Sequence, residues 1–347
     1  MNEQKDIAVE LGVVVMPPPE LPEIVTLREL VANPQPTPPL IIDGILHQGC
    51  KMILGGTSKS NKSWCLLDLA LSVASGQPWW GRPCVKLRVL YINFELQPWA
   101  IAKRMEALRA RRPECGDAAD QLHFWNLRGS AADITDLLSH LEERLQDSNY
   151  GLIIIDPVYK LLGDRDENSN GDIAQLMNEL ETLAQHTGAA LVIAHHYAKG
   201  DSSNKGAADR MSGAGAWVRD PDSVMVMTPH EQNNCFTVTS ILRNLPQVPE
   251  FVVEWDFPVM RIEPDLNPAS LLKPQAKNKM CSDATFIEQA IGDGVASNKA
   301  IVREAKDLLG MSPRTVNSYL KRLTNNGILV KSEEGYRASK PLQSPPK

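Results

Sequence analysis

The chain lacks several features that would settle its class at once. Its six cysteines, Cys50, Cys65, Cys84, Cys115, Cys235 and Cys281, are scattered, and no two form a CxxC pair. That spacing argues against a zinc site and against a disulfide framework. No apolar run approaches the ~20 residues of a membrane span, so no membrane partner is expected. The opening MNEQKDIAVELG has no basic segment followed by an apolar one, as a secretory leader requires. A cytoplasmic location is the expectation. Positive charge is not in excess either: 36 Lys and Arg stand against 42 Asp and Glu, for a net charge of −6. This argues against a wholly basic nucleic-acid coat protein. It leaves open contact with DNA through local loops or one small unit.

The 347 residues, 43% of them hydrophobic and 22% charged, suit two or more soluble folding units. Eight of the 25 prolines fall within residues 17–39, so residues 1–40 read as a proline-rich arm. A short helix, TLRELVAN, is expected inside it. From 41 to 265, continuous apolar strands alternate with amphipathic helices. That pattern predicts an α/β domain with a mostly parallel sheet covered on both faces. LIIDGILHQG and CKMILGG read as its first two strands, and SWCLLDLALSVASG as a helix capped by Gly76. ITDLLSHLEERLQDS also reads as a helix. The later strands SVMVMTP, NCFTVTSILR and FVVEWDF have no helices between them and read as an antiparallel extension. Residues 266–281 read as a linker, 282–340 as a small separate domain and 341–347 as a disordered tail.

Two further absences fall inside motifs. GGTSKSNKSW matches a phosphate-binding P-loop, Gly, four residues, then Gly-Lys-Ser/Thr, except that Asn61 replaces the second glycine. Gly56, Thr57, Ser58, Lys59, Ser60, Asn61, Lys62, Ser63 and Trp64 are the candidate nucleotide contacts. The context of strand, loop and helix is the correct one. Such a loop works through backbone N–H groups and a helix N-terminus aimed at phosphates, with the lysine on the outer phosphates. The position before that lysine favours a left-handed backbone, which asparagine tolerates next best after glycine. Lys62 is assigned to the phosphates and Ser63 to Mg²⁺.

GLIIIDP has the Walker B form, an apolar strand ending in Asp156, which is assigned to orient Mg²⁺ through water. The residue after it is Pro157, so the water-activating glutamate often found there is missing. Glu95, at the end of RVLYINFE, is assigned to polarise the attacking water instead. AALVIAHH ends in His195 and His196, and His196 is the candidate γ-phosphate sensor. The loop beyond it carries Lys199, Lys205, Arg210 and Arg219. It reads either as a DNA contact that responds to ATP or as a plain surface loop. Arg243, which ends a late strand, reads as an arginine finger for a neighbouring subunit or as a surface ion pair.

GGTSKSNKSWCLLDLALSVASGQPWWG, VLYINFEL, GLIIIDPVYKLL and LVIAHHYAKG together resemble the RecA-like P-loop ATPases of the RepA type. That group comprises AAA family ATPases of plasmids, phages and mobile elements, among them hexameric replicative helicases. The resemblance spans about residues 40–262. It implies a RecA-like core, ATP and Mg²⁺, and a homo-hexamer or other ring with nucleotide shared between subunits. Lys62, Ser63, Glu95, Asp156 and His196 would lie on one side of that site and Arg243 on the other. Two departures stand out: Asn61 in the loop, and Ile241, where many ring helicases carry a lysine.

In the C-terminal domain GMSP is a turn, with Ser312 as N-cap and Pro313 at the first helical position. Val316, Leu320 and Leu323 form a buried stripe. Helix, turn and helix followed by a hairpin resembles a winged helix, whose second helix enters a DNA major groove. Arg314, Asn317 and Lys321 would face DNA there, with Lys331 and Arg337 on the wing. Nine Lys and Arg against seven Asp and Glu in residues 282–340 leave a protein-binding role open as well. Two functions follow from the sequence, beside a third reading as a recombinase-like filament former. One is an ATP-hydrolysing ring acting on DNA, with single strands passing through the ATPase ring and duplex held by the winged helix. The other is an ATP-controlled DNA-binding regulator with slow turnover.

Overall fold

The computed structural model describes residues 23–130, 141, 149–197, 215–272, 282–292, 294–309 and 311–339. Helix α1 (Leu27–Ala32) lies in the proline-rich segment. It is held by a reciprocal cap between Thr26 and Glu29, and none of its residues is buried. LIIDGILHQG, expected as one strand, is instead a hairpin of β1 (Leu40–Ile42) and β2 (Leu46–His47). Gly44 takes φ 67 at the reversal, a backbone most side chains resist, and Ile45 N–H closes the turn on the Ile42 carbonyl.

The main domain continues with β3 (Lys51–Gly56), α2 (Lys62–Ser75), β4 (Val89–Asn93), α3 (Pro98–Arg111) and β5 (Leu122–Asn126). Next come β6 (Leu152–Asp156), α4 (Asn170–Thr187), β7 (Ala190–His196) and the short α5 (Ala216–Arg219). The last strands are β8 (Ser223–Pro229), β9 (Cys235–Leu242), β10 (Phe251–Asp256) and β11 (Val259–Ile262). Helix α2 ends on Gly76 at φ 75, the cap expected from sequence. The expected helix ITDLLSHLEERLQDS falls, apart from Leu141, outside the described residues.

Nine strands form one sheet in the order β11-β10-β9-β8-β3-β7-β6-β4-β5. The six from β8 to β5 are parallel and the outer three pair antiparallel. This edge departs from the expected pattern in two ways. β8 runs parallel to β3, so the antiparallel extension begins only at β9, and a further strand, β11, closes the edge. Residues 267–272 also belong to this edge: the carbonyls of Asn267 and Pro268 accept from His230 and Thr237, and Leu272 N–H donates to Pro229.

The alternation of side chains along a strand splits the core in two. Met52, Leu54, Leu152, Ile154, Val192 and Ala194 pack under α2. Ile53, Ile153, Ile155, Leu191 and Ile193 face the opposite way and pack under α4. This two-sided burial explains why these strands read as unbroken apolar runs. Each such side chain larger than alanine contributes about 1.5–3 kcal/mol.

The C-terminal unit begins with α6 (Asp283–Phe286), which runs on as a π-helical turn to Ile291. It continues through α7 (Asn298–Leu309), α8 (Pro313–Asn325) and a hairpin of β12 (Leu329–Lys331) and β13 (Tyr336–Ala338). Its own core joins Phe286, Ile301, Val316, Tyr319, Leu320, Leu323 and Leu329. Ser312 accepts from Thr315 N–H and Pro313 opens α8, as the sequence implied. Among the described residues, no helix is long and apolar enough to cross a membrane.

Candidate nucleotide site

The parallel register brings the sequence-assigned residues to one rim. Gly56, ending β3, is level with His196, ending β7. Asp156, ending β6, is level with Asn93, ending β4. β7 lies between β3 and β6. Lys62, Glu95, Asp156 and His196 therefore share the carboxyl ends of adjacent strands, where open α/β sheets form their ligand crevice.

The loop from Gly56 to α2 has the expected backbone at its odd residue. Asn61 stands at φ 60, ψ 24, a left-handed conformation, and makes no side-chain cap. Lys59 is also left-handed, at φ 67, which costs a non-glycine residue about 1–2 kcal/mol. Nothing in the sequence marked it. Gly56 is required for space: a Cβ there would stand 2.8 Å from Ser60 Oγ and 3.2 Å from Lys62 Cδ. Ser60 is buried and donates to the Thr57 carbonyl at 2.8 Å. Ser58 and Lys59 are exposed, while Thr57, Asn61, Ser63 and Trp64 are half-buried.

Lys62 is 3% exposed. Its Nζ donates to the Gly56 carbonyl (2.7 Å), the Thr57 carbonyl (2.9 Å) and His196 Nδ1 (2.9 Å). An ammonium can only donate, so Nδ1 accepts and the ring proton sits on Nε2. Burial pushes the Lys62 pKa down to about 8, against the opposing pull of Asp156 and Glu95. Burial, then the Lys62 charge, also lowers His196, while Asp156 opposes. His195 faces the other side of the sheet. It stacks on Trp217 at 4.2 Å, and burial first, then His196 and Lys62, bring its pKa down to about 3. It is a neutral packing residue, so His196 is the histidine placed at the loop.

Asp156 is 2% exposed, and its Oδ2 accepts from the Tyr91 hydroxyl at 2.6 Å. Glu95 is exposed on the turn after β4. That turn is braced by Asn93, whose Oδ1 accepts from the N–H groups of Glu95 (3.2 Å) and Leu96 (2.8 Å). Asn93 Nδ2 donates in turn to the Leu96 carbonyl and to Asn126. The half-buried Arg104 guanidinium lies 4.7 Å above the Trp64 ring. Burial lowers its pKa, and Tyr91, Asp156 and Glu95 oppose that shift. Tyr91, Asn93 and Arg104 escaped the sequence reading because no motif spacing marks them.

Hard oxygen donors, a hydroxyl on Ser63 and a carboxylate on Asp156, suit Mg²⁺, which takes one or two protein ligands beside phosphate and water. Among the described residues, no group of three or more His, Cys, Asp or Glu side chains could hold a metal by itself. The N-terminus of α2 behind the loop, and the buried Lys62 amine beside it, suit phosphate oxygens. The residues present therefore fit a magnesium nucleotide.

Arg243 lies elsewhere. Leu242 is level with Ser223 at the start of β8, and Ser223 with Met52 near the start of β3. Arg243 thus follows the end of the sheet opposite to its own loop. It is exposed and donates to the Arg219 carbonyl. Lys199, Lys205 and Arg210 fall outside the described residues. The loop that holds them leaves from Tyr197, whose hydroxyl donates to the Met227 carbonyl at 2.6 Å. It returns at α5, where Asn170 Oδ1 accepts from Ala216 N–H and Arg219.

On the C-terminal unit Arg314, Asn317, Lys321, Lys331 and Arg337 are all exposed. Asn317 Oδ1 accepts from Asn298 Nδ2 at 3.0 Å, so part of its polar edge is engaged. Lys331 Nζ stands 5.8 Å from the Tyr336 ring centre. Tyr319 joins the expected stripe of Val316, Leu320 and Leu323 in the core.

A family model described as an AAA domain matches residues 17–202. Among solved structures, the chain is similar to the KaiC-like protein PH0186 from the hyperthermophilic archaeon Pyrococcus horikoshii OT3. The identity is 12%, over 65% of this chain and 94% of that one, with a TM-score of 0.46. It is also similar to a second solved structure, described as an ATPase domain, at 11% identity over 62% of this chain and 85% of that one, with a TM-score of 0.48. No curated protein matches the sequence.

Proposed function

The chain belongs to the AAA domain family, and from that premise we propose that it is an ATP-hydrolysing, ring-forming motor acting on DNA, a RepA-type replicative helicase of a plasmid, phage or other mobile element. One observation supports this reading above the others: Lys62, Asp156 and His196, with Glu95 on the braced turn beside them, meet on one rim of a parallel sheet.

Each residue has a physical task in this reading. The N–H groups of residues 57–63 and the N-terminus of α2 cradle phosphate oxygens. Lys62 leaves its loop carbonyls and His196 to contact the outer phosphates. Ser63 and Asp156 hold Mg²⁺, which neutralises charge on the leaving phosphate when bound. Trp64 and Arg104 present a flat face to the base. Glu95 polarises the attacking water. His196 loses its Lys62 partner when phosphate arrives and carries that change into Tyr197 and the loop beyond. Lys199, Lys205 and Arg210 on that loop contact single-stranded DNA in the ring, a homo-hexamer or other closed assembly. Arg243, on the far end of the sheet, serves the neighbouring subunit's nucleotide.

The C-terminal unit acts as a winged helix. Arg314, Asn317 and Lys321 on α8 face a duplex major groove, and Lys331 and Arg337 on the hairpin touch phosphates. The test is a strand-displacement assay with Mg·ATP. The reading expects unwinding and DNA-stimulated hydrolysis. Hydrolysis with neither would remove the helicase assignment.

A second reading is favoured by one observation, the locking of Lys62 onto its own loop and His196. A site that must first break those bonds suits an ATP-controlled DNA-binding regulator or initiator with slow hydrolysis. Turnover separates the two readings: a regulator changes its assembly on ATP binding while hydrolysing very slowly.

A further inference from the structure

We propose that Tyr91 is a positioning residue that sets the orientation of the Asp156 carboxylate for a divalent cation. The proposal deepens the reading of a magnesium nucleotide site and depends on it.

Tyr91 sits in the middle of β4 and is fully buried. It is level with Ile154, and both belong to the core under α2. Asp156, two residues beyond Ile154, points to that same face. The phenol spans the diagonal from one strand to the next, and its hydroxyl donates to Asp156 Oδ2 at 2.6 Å. Among the described residues, no other group hydrogen-bonds that carboxylate. The ring is fixed from behind by Phe124, with centroids 5.7 Å apart.

The geometry does two things. A carboxylate terminal torsion is broad and roughly two-fold, so packing around the buried Asp156 sets its plane less sharply than a hydrogen bond does. Binding one oxygen to a rigid donor fixes the plane of the group and leaves Oδ1 without a hydrogen-bond partner among the described residues. The donor is also held in place, because its ring is packed into the core under α2. A tyrosine serving packing alone needs only some acceptor. This one uses an acid at the sheet rim that the nucleotide site requires. Partners of this kind, which orient a ligand without touching the metal, typically change metal affinity about 10- to 100-fold when removed.

The experiment uses the full chain carrying Tyr91→Phe. A second form, with 4-fluorophenylalanine at position 91, fills the space of the hydroxyl without supplying a donor. Mn²⁺ binding is followed by electron paramagnetic resonance in the presence of a non-hydrolysable ATP analogue. Binding of the same analogue in EDTA is measured alongside, with a thermal melt of each form. The proposal expects Mn²⁺ affinity to fall about 10- to 100-fold in both forms, with metal-free analogue binding unchanged. Melting falls, because a buried carboxylate loses a hydrogen bond, but both forms stay folded at the assay temperature. Placing 4-aminophenylalanine at the position, which restores a donor, should recover most of the loss. Unchanged Mn²⁺ affinity in either folded form overturns the proposal. Loss of folding in both forms overturns it too, because the bond is then structural. If the natural chain binds the analogue and Mn²⁺ but Tyr91→Phe binds them equally well, only Tyr91 has been misassigned. If the natural chain binds no analogue with or without metal, the nucleotide reading itself fails.

Discussion

Lys62→Met should change how stability depends on pH, in a direction set by the burial of the amine. The natural lysine is 3% exposed and its pKa is brought from 10.5 down to about 8. The unfolded chain keeps the ordinary value. Below pH 8 both states hold the proton, and the cost of burying the charge is fully present. Between pH 8 and 10.5 the unfolded state binds more protons than the native one, so natural stability rises with pH across that window. At 1.36 kcal/mol per pH unit, the gap between 10.5 and about 8 corresponds to roughly 3 kcal/mol. The variant has no amine and shows none of this rise. The assay is urea unfolding of both proteins without nucleotide, at several values from about pH 7 to pH 11. The stability difference, natural minus variant, should grow by roughly 3 kcal/mol over that range. An offset that stays constant would mean that the amine titrates normally. The buried, inward-turned lysine, and the idea that its burial stores a cost until phosphate arrives, would then be wrong. The cost fits a general pattern in which functional groups sit where the fold would be more stable without them.

Two further substitutions separate binding from chemistry. Glu95→Gln keeps the braced turn of Asn93 and removes the base, so ATP should bind normally while single-turnover hydrolysis drops by about 10²-fold or more. Wild-type rates there would move the base to another residue. Asn61→Gly relieves a left-handed backbone that costs about 1 kcal/mol, so nucleotide affinity and turnover should change by no more than about tenfold. A chain that hydrolyses ATP only after this change would make the natural protein a binder and not a motor.

The main-domain architecture was largely legible because burial on both faces writes itself as apolar runs. Strands β3, β4, β6 and β7, and helices α2 and α4, all lie where such runs and their caps predict. Asn61 was legible for a local reason: few residues tolerate its backbone angle. Strand direction is not carried by period, so the parallel pairing of β8 with β3 had no signal. The hairpin of β1 and β2 was hidden because Ile41, Ile42, Ile45 and Leu46 are buried on both sides of a one-glycine reversal. The supports of the site were hidden too. Tyr91 and Asp156 are 65 residues apart, Lys62 and His196 are 134 apart, and such pairs come from register and not from local pattern. Arg243 was legible as a strand-end arginine, but the register alone showed that it lies away from its own loop.

The central claim is that the loop from Gly56 to Ser63 is a working magnesium-ATP site. Steady-state ATP hydrolysis by the natural chain and by Lys62→Ala, each with Mg²⁺ and with EDTA, tests it most directly. The account predicts magnesium-dependent hydrolysis by the natural chain, none in EDTA, and none by Lys62→Ala although it remains folded. Equal hydrolysis by the two proteins would contradict it.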